Sequence, residues 1–288
     1  MPNLLENDWQ DWIGRSEQRT DMVTSGLVER LCATIDCPVP EGFTPQGIHW
    51  CLCLPDTPTA QLGEDGHPRR DVPGAFLPPI PLPRRMWASS RLAFHTPIAV
   101  GAAIERVSTI TAISEKAGSS GRLAFVTVTH ETLSDGALAV HEEQMLVYRG
   151  ASGSAMATTP APPEKAERAE AVWPHVRNVT PNEAMLMRYS GITNNAHRIH
   201  YDLPYAKEQE GYAALVVHGP LTATLLLEFA ARIIGHNRLK TFAFRGVAPL
   251  FCGEEMTLVA KVDGGEMTLA ALSPNGAAAM TARAEIGM

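Results

Sequence analysis

The residues best suited to chemistry lie in one short polar stretch, RYSGITNNAHRIHYD, at 188–202. The stretch places His197 and His200 three residues apart, with Asn195 before them and Asp202 after them. Imidazole titrates near neutral pH, so a histidine in this setting can take up a proton and return it. The stretch therefore indicates acid–base catalysis by a histidine that a neighbouring amide orients.

Two other interpretations remain open on these residues alone. One is a metal site, which would use the ligands His197, His200, Asp202 and His218. The sequence contains no HExxH motif and no CxxC pair, which makes this the weaker interpretation, and we expect neither a metal nor a cofactor. The other is the start of a helix that Thr193 or Asn194 caps, with histidines on the surface.

The segment VVHGPL, at 216–221, favours catalysis. Gly219 and Pro220 are typical of a helix start, where backbone N–H groups have no partner and the helix dipole is positive. The N–H of Gly219, which no side chain shields, can donate to a developing oxyanion, whereas Pro220 has no N–H. We therefore predict that Gly219 forms an oxyanion hole beside a catalytic histidine.

The helix that follows must position this site. Its apolar residues recur at four-residue spacing up to Gly235: Leu221, Leu225, Phe229 and Ile233. A helix this apolar needs cover on nearly all sides, and a strongly curved antiparallel sheet would provide it. Glu228 lies within the helix, where a charge needs a partner, so we expect it to pair with Arg232 or to serve the site.

Both halves of the chain end in similar alternating segments. RLAFVTVTHETL and ALAVHEEQMLVY flank an Asp-Gly turn at 134–136, and EMTLAAL and AAAMTARAEI flank an Asn-Gly turn at 274–276. Such turns supply the positive φ angles of tight hairpins, so each half is predicted to end in an antiparallel meander of at least three strands.

The repeated pattern predicts an α+β fold of two hotdog units, each a curved antiparallel sheet around a helix, with the N-terminal unit degenerate. The predicted units are 1–150 and 171–288, joined by a linker at 151–170 that is rich in Ala, Ser, Thr and Pro. In the first unit, residues 25–36 are predicted to form a surface helix. The Pro- and Gly-rich stretch at 54–85 is predicted to be an irregular loop at a surface or mouth.

Composition restricts the class of protein. The net charge of -7 gives no electrostatic footprint for nucleic acid, and the 45% of hydrophobic residues suffices for a large core. The five cysteines form no CxxC pair, which is typical of reduced thiols in the cytoplasm. We expect no secretory signal, because the N-terminus has no apolar run after basic residues, and no membrane span, because the most apolar segment is interrupted by polar residues.

The combination of YSGITNNAHRIH and VVHGPL resembles the hydratase motif of the MaoC-like, R-specific enoyl-CoA hydratase family. The resemblance implies that His200 is the catalytic histidine and that Gly219 is the oxyanion-hole glycine. Asn195 occupies the place of the usual catalytic aspartate, and an asparagine can orient water but cannot accept its proton. Three further segments, DWIGRSE, PRRMWASSRLAF and EKAGSSGRLAFVTVTHE, are similar to the non-catalytic N-terminal unit of two-domain members.

The form NNAHRIHYD resembles a two-domain subgroup with mesaconyl-CoA and itaconyl-CoA hydratases and the mitochondrial type 2 hydroxyacyl-thioester dehydratases. This resemblance implies hydration of an enoyl-CoA, with a branched C5 dicarboxylyl thioester as the expected substrate. It also implies that the protein is a monomeric pseudo-dimer or a homodimer. We expect arginines to bind the anionic groups of this substrate. The predicted substrate-binding residues are Arg198, Arg85, Trp87, Arg188 and His218.

Three alternatives to this function are a 3-hydroxyacyl-thioester dehydratase of fatty acid metabolism, a thioesterase on the same fold, and a non-catalytic acyl-CoA-binding protein. Position 195 is the main argument for the last of these, because an amide cannot perform the work of a carboxylate there.

Overall fold

The alternating segments of the first half form an antiparallel sheet in the computed structural model, which describes residues 9–118, 121–150 and 172–287. The strands are β1 (Ser16–Met22), β2 (Arg84–Phe94), β3 (Ala103–Gly118), β4 (Gly121–Ser134) and β5 (Ala137–Arg149). The Asp-Gly turn between β4 and β5 has φ angles of 49° and 82°, as predicted. The predicted linker at 151–170 lies outside the described residues.

The second half forms a matching set of strands. They are β6 (His175–Val179), β7 (Leu239–Gly246), β8 (Met256–Asp263), β9 (Glu266–Leu272) and β10 (Ala278–Ile286). Consecutive strands β8, β9 and β10 pair antiparallel, as β3, β4 and β5 do in the first half. The predicted meander is therefore confirmed in each half.

The two sets of strands join edge to edge. Strand β2 pairs antiparallel with β7, from Ser89 opposite Arg245 to Ala93 opposite Thr241. The result is one ten-stranded antiparallel sheet in the order β1-β3-β4-β5-β2-β7-β10-β9-β8-β6. Each half thus keeps its own curved sheet, while the shared β2–β7 edge fixes the position of one half against the other.

Four α-helices accompany the sheet in the described part of the chain. They are α1 (Ser25–Ile35), α2 (Glu183–Ile192), α3 (Leu203–Glu208) and α4 (Gly219–Ile234). Short 3₁₀ turns lie at Trp9–Trp12, Ile48–Cys51, Thr59–Gln61 and Arg198–His200. None of the described helices combines the length and the apolar character that crossing a membrane requires.

Helix α4 is the predicted central helix. Leu221 and Leu225 are completely buried, Phe229 is 5% exposed, and Gly235 ends the helix at a φ of 93°. Sheet residues such as Leu258 and Leu269 belong to the same core cluster. The apolar four-residue spacing therefore predicts correctly both the helix and the sheet that covers it.

Glu228 of α4 is almost fully buried and forms ion pairs with Arg232, one turn later, and with Arg177 of β6. The expected pairing with Arg232 is confirmed. Because Glu228 is absent from the lining of the main cavity, its role is structural: it connects the central helix to the edge strand.

Helix α1 differs from the prediction. The sequence predicts a surface helix, yet Val28, Leu31 and Cys32 are completely buried and only the opposite face, with Glu29 and Arg30, is exposed. The buried face belongs to the same core cluster as α4, and α1 also packs against α2. The apolar residues of α1 are few, but they lie on one side, which suffices for an amphipathic helix.

The loop at 54–85 is irregular, as predicted, apart from the 3₁₀ turn and the first residues of β2. Its middle packs directly on the polar stretch at 188–202. A Cβ at Gly66 would lie 1.8 Å from the carbonyl oxygen of Ala196, and Gly66 has a φ of +86°. Only glycine fits this close approach. The loop at 54–85 of the first half therefore packs against the polar stretch at 188–202 of the second half.

Candidate active site

The polar stretch begins at the end of a helix and not at its start. Asn182 caps the start of α2 by accepting a hydrogen bond from the Met185 N–H at 2.9 Å. Thr193 lies at the C-terminal end of α2, and Asn194 adopts a φ of 47° in the left-handed region. The interpretation of a helix start capped by these two residues is therefore wrong. The chain turns sharply here, and the turn directs the following histidines inward.

His200 is held by its main-chain surroundings. It lies in the 3₁₀ turn Arg198–His200, is 7% exposed, and places Nδ1 2.7 Å from the Val216 carbonyl oxygen. A carbonyl only accepts, so Nδ1 carries the proton and Nε2 has a lone pair. Burial, reinforced by nearby His197, lowers the pKa of His200 to about 3, while the bond to Val216 acts in the opposite direction. The imidazole is thus neutral at physiological pH and available as a base.

The imidazole of His218 packs against the ring of His200. The ring of His218 stacks on that of His200 with centroids 3.6 Å apart and planes 20° apart, and His218 is completely buried. Nε2 of His218 lies 2.8 Å from the Ser190 hydroxyl, and Tyr189 contacts its ring edge-on at 5.2 Å. Burial holds the pKa of His218 well below its usual value. His218 therefore fixes the ring plane of His200.

Gly219 is the first residue of α4 and lines the same cavity as His200. In the first turn of a helix the backbone N–H has no acceptor within the helix. The nearest heavy atom to a Cβ built on Gly219 is the Trp87 carbonyl oxygen at 3.8 Å. The backbone of Gly219 therefore borders the cavity at the start of α4, where the helix dipole favours negative charge.

Asn195 also lines the cavity, and its side chain has a defined orientation. Its Oδ1 accepts a hydrogen bond from the His197 N–H at 3.0 Å, and its own N–H donates to the Ser190 carbonyl at 2.9 Å. With Oδ1 used in this way, the NH₂ group is the part of Asn195 that can hold a water or a substrate oxygen.

The loop of the first half adds a group that the sequence does not reveal. Oδ2 of Asp65 lies 2.9 Å from Nδ1 of His67, and the ring of His67 contacts that of His197 with centroids 4.2 Å apart. The ring of His197 in turn meets that of His200 edge-on at 5.4 Å. Four imidazoles and one carboxylate thus form a continuous cluster: Asp65, His67, His197, His200 and His218.

Sequence reasoning misses Asp65 and His67 because they lie about 130 residues before the motif, in a stretch without periodicity. The available signal is the tripeptide Asp-Gly-His itself, two ionisable residues around a glycine in an otherwise irregular loop. The tripeptide gives no information about the surface on which that loop packs.

The predicted metal set is not brought together. Asp202 binds Arg198, Nδ1 of His200 binds a carbonyl, and His218 binds Ser190. Within the described ranges, one group has donor atoms near enough for a cation: Asp65, His67 and His197, all within 4.8 Å of one another. Asp65 and His67 already satisfy each other at 2.9 Å, which is the arrangement of an acid–base pair.

One large cavity of about 930 Å³ contains these groups and extends between the two halves. Arg85 and Trp87 of β2, two of the residues predicted to bind substrate, line this cavity. Among the described residues, no carboxylate lies within ion-pair distance of Arg85, in contrast to Arg84, which pairs with Glu210 at 3.0 Å. A partly buried guanidinium without a counter-ion is well suited to an anionic group of a ligand.

Three other predicted substrate contacts need correction. Arg198 binds Asp202 at 2.7 Å and stacks over Tyr205, and Arg188 donates to the Ala33 carbonyl. Neither arginine lines the cavity, and neither does the buried His218. Asp202 does not line the cavity either, since it caps α3 and pairs with Arg198.

Comparison with known proteins places these features in a family. The model of the hydroxyacyl-thioester dehydratase type 2 family matches residues 47–252. This match spans both halves, from the loop that carries Asp65 to the residues after α4.

Two characterised relatives cover most of the chain. The mesaconyl-C(4)-CoA hydratase of Chloroflexus aurantiacus is 42% identical over 284 residues, which is 97% of this chain and 98% of that protein. The mitochondrial hydroxyacyl-thioester dehydratase type 2 of Schizosaccharomyces pombe is 26% identical over 262 residues, 81% and 82% of the two chains.

Solved structures agree with the predicted fold. A MaoC-like dehydratase superposes with a TM-score of 0.72 at 17% identity, covering 98% of this chain and all of the other. A Mycobacterium tuberculosis protein described as a double hotdog superposes with a TM-score of 0.55 at 13% identity, covering 99% of each. The predicted double hotdog of class α+β is confirmed.

Proposed function

Because this chain belongs to the hydroxyacyl-thioester dehydratase type 2 family, we propose that it is a hydro-lyase that adds water reversibly to an enoyl-CoA thioester. The product is a 3-hydroxyacyl-CoA. One observation carries the proposal: a fixed, neutral imidazole, His200, lines the same cavity as Gly219, whose N–H has no acceptor within its helix. Addition of water to an enoyl thioester needs a base for the water and a donor for the thioester oxygen.

The thioester carbonyl accepts a hydrogen bond from the Gly219 N–H, which polarises the conjugated double bond. Nε2 of His200 takes a proton from water as the water oxygen bonds to C3, and the π electrons move toward the thioester oxygen. Asn195 holds the water through its NH₂ group. C2 then receives a proton, which His200 is able to return.

The role of Asn195 leads to a distinct test. An amide can orient water but cannot exchange a proton with it. We expect Asn195→Ala to lower kcat because the water loses its holder. If Asn195→Asp raises kcat, the amide is an imperfect substitute for a carboxylate; if it lowers kcat, another group already supplies the acid–base function.

The substrate class that fits best is a branched C5 dicarboxylyl-CoA of the mesaconyl or itaconyl type, with a citramalyl-type product. The name of the 42% identical relative supports it, and so does Arg85, a cavity guanidinium without a counter-ion. We propose that Arg85 binds an anionic group of this substrate and that Trp87 packs against its uncharged part. Trp87 is held for this purpose, since its Nε1 donates to Ser90 Oγ at 2.8 Å.

We further propose that the protein acts in the cytoplasm. One chain already contains two hotdog units joined along β2 and β7, so a monomer can supply the pair of units that single hotdogs obtain by dimerising. The first unit, at 1–150, contributes Arg85 and Trp87, and the second, at 171–288, contributes His200 and Gly219.

The test is a hydration assay with crotonyl-, mesaconyl- and itaconyl-CoA, which follows loss of the enoyl absorbance and release of free thiol in parallel. The proposal expects absorbance loss without thiol release, and the fastest turnover with a dicarboxylyl substrate. Thiol release would identify a thioesterase, and binding without any absorbance change would identify a non-catalytic acyl-CoA-binding protein. Arg85→Gln should raise KM for the dicarboxylyl substrates more than for crotonyl-CoA.

A further inference from the structure

The Asp65–His67 pair is a second acid–base unit that the hydration scheme above leaves unused. Oδ2 of Asp65 lies 2.9 Å from Nδ1 of His67, while Oδ1 accepts from the His67 backbone N–H at 3.0 Å. An ionised carboxylate can only accept, so Nδ1 carries the proton and Nε2 has the lone pair. This is the arrangement in which a carboxylate orients a histidine and stabilises its protonated form.

The position of the pair is fixed by main-chain contacts with the catalytic stretch. The N–H of Arg198 donates to the Asp65 carbonyl at 3.0 Å, and the guanidinium of Arg198 donates to the Glu64 carbonyl at 3.0 Å. Gly66, between the two residues of the pair, lies so close to Ala196 that no side chain fits there. A loop held by its backbone in this way presents its side chains at defined positions.

The pair borders the cavity that contains the proposed reaction site. Asp65, His67, Asn195 and His200 line the same cavity. His197 lies between the two catalytic candidates, with its ring centroid 4.2 Å from that of His67 and 5.4 Å from that of His200. In contrast to His67, His200 pairs with no carboxylate among the described residues; its Nδ1 donates to the Val216 carbonyl.

We propose that His67, oriented by Asp65, is a second catalytic acid–base residue and performs the proton transfer at C2 that Asn195 cannot. The inference rests on the proposed hydration. Without His67, the imidazole of His200 would have to reach both the water at C3 and the carbon at C2. With a second imidazole, each ring serves one of these two atoms. His67 is then the catalytic residue and Asp65 is the residue that positions it.

Every proton that moves in the hydration step has a stated source and destination. In hydration, Nε2 of His200 takes a proton from the water as the oxygen–C3 bond forms. The electron pair of the C2–C3 π bond takes the proton from Nε2 of His67, which forms the new C2–H bond. Before the step, Nε2 of His67 takes up a proton from cavity water when the substrate binds, so that His67 is an imidazolium beside the Asp65 carboxylate. After the step this proton is on C2, and the proton that His200 took from the water passes from its Nε2 to His67 through cavity water between turnovers. Dehydration is the reverse.

The charges around His67 suit a residue that becomes protonated when the substrate binds. Burial, with nearby Arg85 as the next cause, lowers the pKa of His67 to about 4, and Asp65 opposes this shift. Burial alone would raise the pKa of Asp65, but the hydrogen bonds from His67 outweigh it and keep the carboxylate ionised. A substrate anion bound at Arg85 would offset one of the two causes and favour protonation of His67 in the complex.

The decisive experiment combines His67→Ala with chemical rescue. We expect kcat for hydration to fall about 10²–10⁴-fold with KM changed by less than about threefold, and free imidazole to restore at least about a tenth of the lost rate. In D₂O, exchange of the C2 hydrogen of the hydroxyacyl product should slow by the same factor. Rescue and exchange report on proton transfer, which a purely structural role would not affect.

Two further variants keep the proposal testable if His67→Ala does not fold. Asp65→Asn retains an oxygen that can accept from the His67 backbone N–H, and we expect a fall of about 10–10²-fold in kcat. Asp71→Asn is the matched control, because Asp71 lies in the same loop, pairs with exposed Arg69 and does not line the cavity. Its activity should equal that of the wild type.

Wild-type activity in either Asp65→Asn or a folded His67→Ala would overturn the proposal. A folded but inactive His67→Ala that imidazole does not rescue would overturn it as well. If chelator abolishes activity and Zn²⁺ restores it, the cluster holds a metal and the proposal is also wrong. An inactive wild type would refute the proposed function instead, so the two failures are distinguishable.

Discussion

Replacing Gly219 with alanine should impair the oxyanion hole without lowering the stability of the fold, so the two effects can be measured separately. The nearest heavy atom to the new Cβ is the Trp87 carbonyl oxygen at 3.8 Å, an ordinary van der Waals distance, and Gly219 does not have a positive φ. The fold should therefore accept alanine. The methyl group would instead stand in the cavity next to the N–H that binds the thioester oxygen.

Loss of one oxyanion donor typically lowers kcat by about 10²–10³-fold, which is about 2.7–4 kcal/mol of transition-state stabilisation. We expect Gly219→Ala to approach this value while its free energy of unfolding stays within about 0.5 kcal/mol of the wild type. The assay is steady-state hydration of a mesaconyl-type thioester, together with urea unfolding of the same preparation.

The matched control is Gly265→Ala, in the turn between β8 and β9. Its new Cβ meets nothing within 4 Å, and Gly265 does not line the cavity. Both its activity and its stability should remain at wild-type values. The reasoning fails if Gly219→Ala folds normally and keeps its activity within about threefold, because the thioester oxygen would then not occupy the space beside this N–H.

Gly66→Ala should lower both the melting temperature and kcat, because the new Cβ would lie 1.8 Å from the Ala196 carbonyl oxygen; normal thermal unfolding and activity would show that this loop is not packed as described. Glu228→Gln should destabilise the protein by about 1–3 kcal/mol in urea unfolding, since it removes the buried charge with which two partly exposed arginines pair. The kcat of the folded fraction should stay unchanged. The free energy of unfolding should also fall as pH decreases from about 6.5 toward 4. Burial lowers the pKa of His67 to about 4 and the pKa of both His197 and His200 to about 3, so the unfolded chain binds more protons than the folded protein in this range. A flat profile of unfolding free energy between about pH 7 and pH 5 would contradict the burial of these rings.

The sequence predicts correctly those features that depend on local patterns. The four-residue spacing after Gly219 identifies the central helix, and the Asp-Gly pair at 135–136 identifies a hairpin. The ring of His200 and the N–H of Gly219 line one cavity, as the motif implies, because both are placed by short segments of the second half.

The incorrect or missing predictions concern contacts between distant segments. Arg198 is near His200 in sequence, but its ion pair with Asp202 turns it away from the cavity. Conversely, Asp65 and His67 reach the site only because Gly66 packs against Ala196. Such contacts depend on how one half docks on the other, which no local pattern encodes.

The central claim is that His200 is a catalytic base for hydration, and the most direct measurement is the turnover of His200→Ala with a mesaconyl-type thioester. The account predicts a fall in kcat of about 10²–10⁴-fold, because His200 lines the cavity together with Gly219 and keeps the lone pair on Nε2 while Nδ1 donates to Val216. Turnover within a few-fold of the wild type, by a variant whose unfolding curve is normal, would contradict it.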